Sequence, residues 1–184
     1  VGQAFRDALE MGGISTNHSY NKHDPHNINA YSRSRRTAVQ LLKEQPDAKL
    51  HLFGDGPLRE EIENLVNSED LQASVIFYGW VANPIDYIAK ADVLVLPSII
   101  EGLPGVLLEA MFCKTIVVAN NVGGISEIVK PNETGFIAEK GDEREFASLM
   151  KKAIDLSTSD IANQAYSLVS ENFSNEYIAQ QFEK

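Results

Sequence analysis

A single α/β domain built on a doubly wound, mostly parallel sheet is predicted by two observations. From Lys49 onward, short β-rich runs alternate with helical patterns, the order that joins parallel strands through crossover helices. The chain has 184 residues, 43% hydrophobic and 23% charged, which suits one well-buried core, since single cores usually take roughly 100–200 residues.

The candidate strands are Leu50 to Phe53, Val75 to Tyr78, Val93 to Leu96, Ile116 to Ala119 and Phe136 to Ala138. Each is short, apolar and bounded by Gly, Pro or Asn. Helices are expected between them at Leu58 to Asn67, Ile85 to Ala91 and Val106 to Phe112, each starting just past a Pro or Gly. Asp142 is placed to cap a further helix with Glu145 reaching back. Phe146, Leu149, Met150, Ala153 and Ile154 then share one helical face. The tail from about Ser159 to Lys184 reads as two helices with a break near Asn172 to Ser174, Ser174 capping the second.

The first thirty residues are set apart as an N-terminal helix and loop, and residues 31–184 as the main domain. Gly12-Gly13 ends the opening helix, and Ser15 to Asn29 is polar and without period. His18, His23, His26 and Asp24 fall in that stretch at spacings that match no metal-ligand pattern, so no metal site is read there.

Composition narrows the function classes. A formal charge of −10 argues against affinity drawn from nucleic-acid phosphates. The longest apolar runs, residues 92–100 and 106–119, are interrupted by Pro97, Glu109 and Lys114 and fall short of the ~20 residues that span a bilayer. With no secretory signal pattern either, a cytoplasmic location is expected. Cys113 is the only cysteine, which rules out an internal disulfide framework. It reads as core filler in preference to a reactive thiol.

In an open parallel sheet, ligands bind beyond the carboxyl ends of the strands. Three loops there are unusual. Gly54-Asp55-Gly56-Pro57 closes the first candidate strand, and glycine at such a place permits positive φ and close ligand approach, although a plain tight turn explains it as well. The stretch Ser98 to Met111 follows an apolar strand and places Gly102 and Gly105 just before a helix. A helix N-terminus with orphan N–H donors and a positive dipole end suits a diphosphate. Two carboxylates, Glu101 in the loop and Glu109 about one turn into the helix, suit sugar diols, with a dipole-favoured surface residue as the bland alternative for Glu109. The third loop, Asn121 to Glu127, again sets glycines between a strand and a short helix.

The segment from Lys49 to Ala138 resembles the C-terminal domain of GT-B glycosyltransferases, specifically the large retaining family of bacterial surface-polysaccharide synthesis (glycosyl transferases group 1). The carriers are FGDGPLR at Phe53 to Arg59, FYGWV at Phe77 to Val81, ADVLVLPS at Ala91 to Ser98, EGLPGVLLEAM at Glu101 to Met111, VGGISEIV at Val122 to Val129 and TGF at Thr134 to Phe136. They occur in the family's order and spacing.

The resemblance implies a Rossmann-like fold that binds a nucleotide diphosphate sugar as substrate and passes its hexose, with retention, to a polysaccharide or lipid-linked acceptor. Glu101 would touch the donor sugar as the catalytic residue and Glu109 the ribose, the two forming the family's E-x7-E pair. The backbone of Gly102, Leu103, Pro104, Gly105 and Val106 would hold the diphosphate. Tyr78, Gly79, Trp80 and Val81 would flank the base, and Gly54 would line the cleft from the other side. No cofactor and no metal are implied. The family's partner for this domain is an N-terminal acceptor-binding domain, which 184 residues do not include, and a peripheral contact with the cytoplasmic membrane face goes with a lipid-linked acceptor. The family also carries a Lys-Gly pair near the diphosphate. That pair is not found here, and Arg33, Arg35 and Arg36 are the candidates to substitute for it. A non-catalytic nucleotide-sugar or partner-binding module is the alternative from another class. A sugar-nucleotide epimerase is a third reading, which the EGLPGVLLEAM stretch fits less well.

Overall fold

The computed structural model describes residues 37–39, 41–54, 59–155 and 160–173, and the backbone of residues 6–11. Six strands form one parallel sheet in the order β3-β2-β1-β4-β5-β6. They are β1 (Arg6–Met11), β2 (Ala48–Phe53), β3 (Val75–Gly79), β4 (Val93–Leu96), β5 (Ile116–Asn120) and β6 (Phe136–Ala138). Helical residues 37–39 and 41–44 (α1) precede β2. The remaining helices are α2 (Arg59–Ser68), α3 (Ile85–Ile88), α4 (Gly105–Phe112), α5 (Ile125–Ile128), α6 (Glu143–Asp155) and α7 (Asp160–Asn172).

The five expected strands are all present, and a sixth lies where a helix was expected. Arg6–Met11 reads as helix because Ala, Leu, Glu and Met are good helix formers. The segment instead pairs with β2 along its whole length and with β4 at Ala8, Leu9 and Glu10. Pairing on both edges in the middle of a sheet outweighs a propensity of a few tenths of a kcal/mol per residue. The histidine-rich stretch and Arg33, Arg35 and Arg36 lie outside the described residues.

Both faces of the sheet are covered, and the period-2 alternation of strand side chains divides the core. Val93 and Val95 of β4 and Ile116 and Val118 of β5 join one cluster, with Leu41 and Leu42 of α1, Ile62 and Val66 of α2 and Phe146 and Met150 of α6. Leu94, Leu96, Val117 and Ala119 point the other way, to Leu107 and Met111 of α4, Ile125 and Ile128 of α5 and Ala165 and Val169 of α7. Strands buried on both sides must be apolar throughout, which is why VLVL and IVVA show no polar alternation.

The tail of the fold follows the sequence closely, with one difference in capping. Asp142 Oδ1 accepts from the Glu145 N–H at 2.9 Å, as expected. The Glu145 carboxylate reaches past the cap and accepts from the Glu139 N–H at 2.8 Å, because the Asp142 N–H is already bound to the Glu139 carbonyl. Helix α6 thus ties itself to the end of β6. Helix α7 ends at Asn172, at the expected break. The second tail helix falls outside the described residues.

Candidate functional site

The order β3-β2-β1-β4 places the reversal of strand order between β1 and β4. At such a point neighbouring loops diverge and leave a crevice beyond the strand ends. The loop from Pro97 to Pro104 leaves β4 there. It descends from a buried stem, Ser98 and Ile99, to an exposed tip, where Ile100 is 65% and Leu103 49% exposed. Glu101 is half-buried between them, and Gly102 is exposed.

Helix α4 begins immediately after, with buried Pro104 as its N-cap residue. Pro104 has φ −74° and ψ 112°, and no side chain caps the helix. Its carbonyl accepts the Leu107 N–H at 3.1 Å. The first N–H groups of an α-helix have no partner inside the helix. Here they stand at an exposed glycine, and a Cβ added at Gly105 or at Gly102 would meet nothing within 4 Å. The dipole of an uncapped helix start favours negative charge. Glu109 lies one turn further along the same helix and is exposed.

The loop after β5 closes against this loop from the side. The Gly124 N–H donates to the Gly102 carbonyl at 2.8 Å. Gly123 has φ +55°, and a Cβ there would collide with the carbonyl of Glu101. Leu103 Cδ1 lies 3.4 Å from where a Cβ of residue 124 would stand. The two glycine loops singled out in the sequence are therefore packed backbone to backbone.

One side chain in this arrangement is absent from the sequence reading. Asn120 is buried at the end of β5 and its amide nitrogen donates to the Pro97 carbonyl at 3.0 Å and the Ser98 carbonyl at 3.2 Å. Two carbonyl neighbours require the NH₂ end of the amide on that side. A polar residue closing an otherwise apolar strand, IVVAN, is the trace it leaves in the sequence.

On the other side of the crevice, β2 is followed by Gly54, whose φ of +96° is the left-handed turn that glycine permits. Its N–H donates to the Gly79 carbonyl at 2.7 Å. Between Leu52 and Phe53 the register with β3 shifts, Leu52 facing Phe77 and Phe53 facing Gly79. Tyr78 is the extra residue at this bulge, and bulges re-aim side chains. Its ring stacks on Phe53 with centroids 4.6 Å apart and meets Tyr87 of α3 edge-on at 4.9 Å. His51 Nδ1 and the Tyr78 hydroxyl are 3.1 Å apart. Trp80, just past this cluster, is 74% exposed, and Val81 is half-buried. Among the predicted site residues, Tyr78 is thus packed into an aromatic wall while Trp80 stands free at its rim.

Among the described residues no three His, Cys, Asp or Glu side chains gather as a metal would need. No described helix is long and apolar enough to cross a membrane. A groove lies elsewhere, lined by Lys130, Glu133 and Thr134 and by Asn163, Gln164 and Ser167 of α7. The Pro131 to Gly135 turn leads into the start of β6, so this groove belongs to the opposite end of the sheet from the crevice. Cys113, at the C-cap of α4, is half-buried; burial first, and the nearby Glu109 carboxylate second, push its thiol pKa up.

A doubly wound parallel sheet with an uncapped helix start after β4 defines the class: a Rossmann-like α/β domain. Residues 33–167 match the model of the family "Glycosyl transferases group 1", and the chain belongs to that family. It is 35% identical over 151 residues to the N-acetyl-alpha-D-glucosaminyl L-malate synthase of Bacillus anthracis, covering 79% of this chain and 39% of that protein. The C-terminal domain of a glycosyl transferase group 1 family protein, LpcC, from Francisella tularensis superposes with a TM-score of 0.76 at 24% identity, over 92% of this chain and 87% of that one. HepE from Anabaena, in its complex with UDP, gives a TM-score of 0.77 at 22% identity, over 98% of this chain and 49% of that one. The chain spans well under half the length of the curated relatives it matches. Its fold is that of the C-terminal half of GT-B glycosyltransferases.

Proposed function

We propose that this chain is the donor-binding part of a hexosyltransferase, holding a nucleoside diphosphate sugar across the loop after β4. The observation that carries the reading is the start of α4. Gly102 and Gly105 have free space where a side chain would be, Pro104 supplies no side-chain cap, and the N–H groups of Gly105 and Val106 have no acceptor inside the helix. A diphosphate supplies acceptor oxygens and negative charge together, and the helix dipole favours both. Glu101 acts on the donor sugar as the catalytic carboxylate, and Glu109 accepts hydroxyl hydrogens from the ribose. Trp80 and Val81, beyond the aromatic wall of Phe53 and Tyr78, flank the base. Arg33, Arg35 and Arg36 are the proposed cations for the phosphates.

Family membership and the curated relatives support sugar transfer. One of them, 34% identical over 132 residues, is a 2-deoxystreptamine glucosyltransferase. In the reaction proposed, the bond between the anomeric carbon and the diphosphate oxygen breaks, and an acceptor hydroxyl takes the sugar with its configuration retained. The backbone amides and the helix end stabilise the charge gathering on the departing diphosphate. They supply positive potential without a metal, so nucleotide binding should survive EDTA. The acceptor is a polysaccharide or a lipid-linked sugar met at the cytoplasmic face of a membrane, and a facing acceptor-binding domain completes the cleft.

The reading is tested by following backbone amide resonances while UDP, GDP or ADP is added. Saturable shifts led by Gly102 to Val106 are expected. Shifts confined to the groove beside α7, or none with any of the three, would refute it.

A further inference from the structure

We propose that Asn120 is a positioning residue: its buried amide fixes the course of the loop after β4 and, through it, the place of Glu101 and the amides at the start of α4. This rests on the reading of that loop as the donor seat only for its effect on binding.

The need for such a residue follows from Pro97. Strand β4 pairs with β5 up to Leu96 opposite Ala119. Pro97 ends the ladder, because it has no N–H to give and its ring fixes φ. The chain is still inside the protein at that point: Pro97 is buried, Ser98 is 1% exposed and Ile99 5%. The carbonyls of Pro97 and Ser98 leave the ladder while still inside the protein, and a buried carbonyl that loses a hydrogen bond costs about 1–3 kcal/mol. The main chain of residue 120 does not serve them. Its carbonyl accepts the Val122 N–H at 2.9 Å, and the link to β6 is made by the next residue, the Asn121 N–H donating to the Ala138 carbonyl at 2.7 Å. The side chain takes over the ladder instead and spans both carbonyls.

The second anchor is three residues beyond Ile99, where Gly102 O accepts from Gly124 N. Ile99, Ile100 and Glu101 are thus suspended between two fixings, both supplied by residues 120–124. The loop after β5 is a template on which the loop after β4 is laid.

The test uses Asn120→Leu, which keeps the volume and removes the donor, and Asn120→Thr, which keeps one hydroxyl donor. Amide hydrogen exchange is measured on the unliganded chain, and nucleoside diphosphate affinity on the same proteins. In the Leu variant the amides of Ile99 to Leu103 are expected to exchange about tenfold faster or more, from the loss of roughly two hydrogen bonds. Those of Leu94 to Leu96 and Val117 to Ala119 should change about twofold at most, and Thr should recover part of the loop's protection. Affinity should fall in the same order, Leu below Thr below the parent. Equal acceleration in strands and loop, or none in the loop, overturns the proposal, as does affinity unchanged in a loop that has loosened. Should the Leu variant not fold, the Thr variant decides on the same comparison. A parent chain that binds no nucleoside diphosphate overturns the donor reading and the effect on affinity, while the exchange pattern still decides whether Asn120 holds the loop.

Discussion

Gly123 and Glu101 are in backbone contact: the Glu101 carbonyl occupies the space a Cβ of residue 123 would need, and Gly123 itself stands at φ +55°. Two separate costs therefore meet at one position. A side chain at positive φ is strained by roughly 1–2 kcal/mol. The contact also cannot be relieved by a rotamer change, since the obstacle is main chain.

Gly123→Ala is expected to lower unfolding stability by about 2–4 kcal/mol, read as the shift in a urea midpoint at unchanged slope. A loss under about 0.5 kcal/mol, the usual scale of surface changes, would mean that the two loops are not locked together.

Gly102 and Gly105 make the opposite case. Neither has positive φ, and an added Cβ meets open space at both. Gly105→Ala should leave stability unchanged or raise it by about 0.4–1 kcal/mol, because alanine restricts the unfolded chain. Nucleotide affinity should nevertheless fall about tenfold, as the methyl group obstructs a charge-assisted bond worth roughly 1.5–3 kcal/mol. A variant as stable as the parent and with equal affinity would remove the ligand from this helix start.

In the function proposed, Glu101 meets the sugar and not the nucleotide. In Glu101→Gln, affinity for the nucleoside diphosphate alone should stay within about twofold. The extra affinity for the corresponding diphosphate hexose should be lost, together with roughly 10²-fold or more of any transfer. Parallel calorimetry with both ligands reads the split, and equal weakening of both contradicts the assignment.

Burial, and then Glu109, raise the pKa of the Cys113 thiol, so the unreactive protonated form persists to higher pH than in a free peptide. The rate of iodoacetamide alkylation against pH should have its midpoint above that of an unstructured cysteine peptide, and Glu109→Gln should bring it part of the way down. The sign for stability follows. The folded state keeps its proton where the unfolded thiol has lost it, so stability declines as pH rises from the unfolded pKa towards the folded one. A midpoint at or below the peptide's would contradict the stated environment.

The sheet was legible in the sequence wherever a strand is buried on both faces and bounded by turn residues, as VLVL and IVVA are. Arg6–Met11 was not, because its residues favour helix and only its two neighbours in the sheet make it a strand. The glycine loops announced themselves by composition. Their mutual contact did not, since nothing in the spacing of Glu101 and Gly123 says that β4 and β5 end side by side. Asn120 was hidden for the same reason: a polar residue at a strand end reads as the first residue of a turn until the Pro97 and Ser98 carbonyls that it meets are known. The stacking of Tyr78 on Phe53 depends on a one-residue register shift that no side-chain pattern encodes.

The most direct measurement is calorimetric titration of the chain with UDP, GDP and ADP, beside the Glu109→Ala variant. Saturable binding of one of the three, weakened about tenfold by the loss of a carboxylate hydrogen bond to the ribose, is the result predicted. Binding that ignores the mutation would put the nucleotide somewhere other than α4, and no binding to any of the three would contradict the donor site itself.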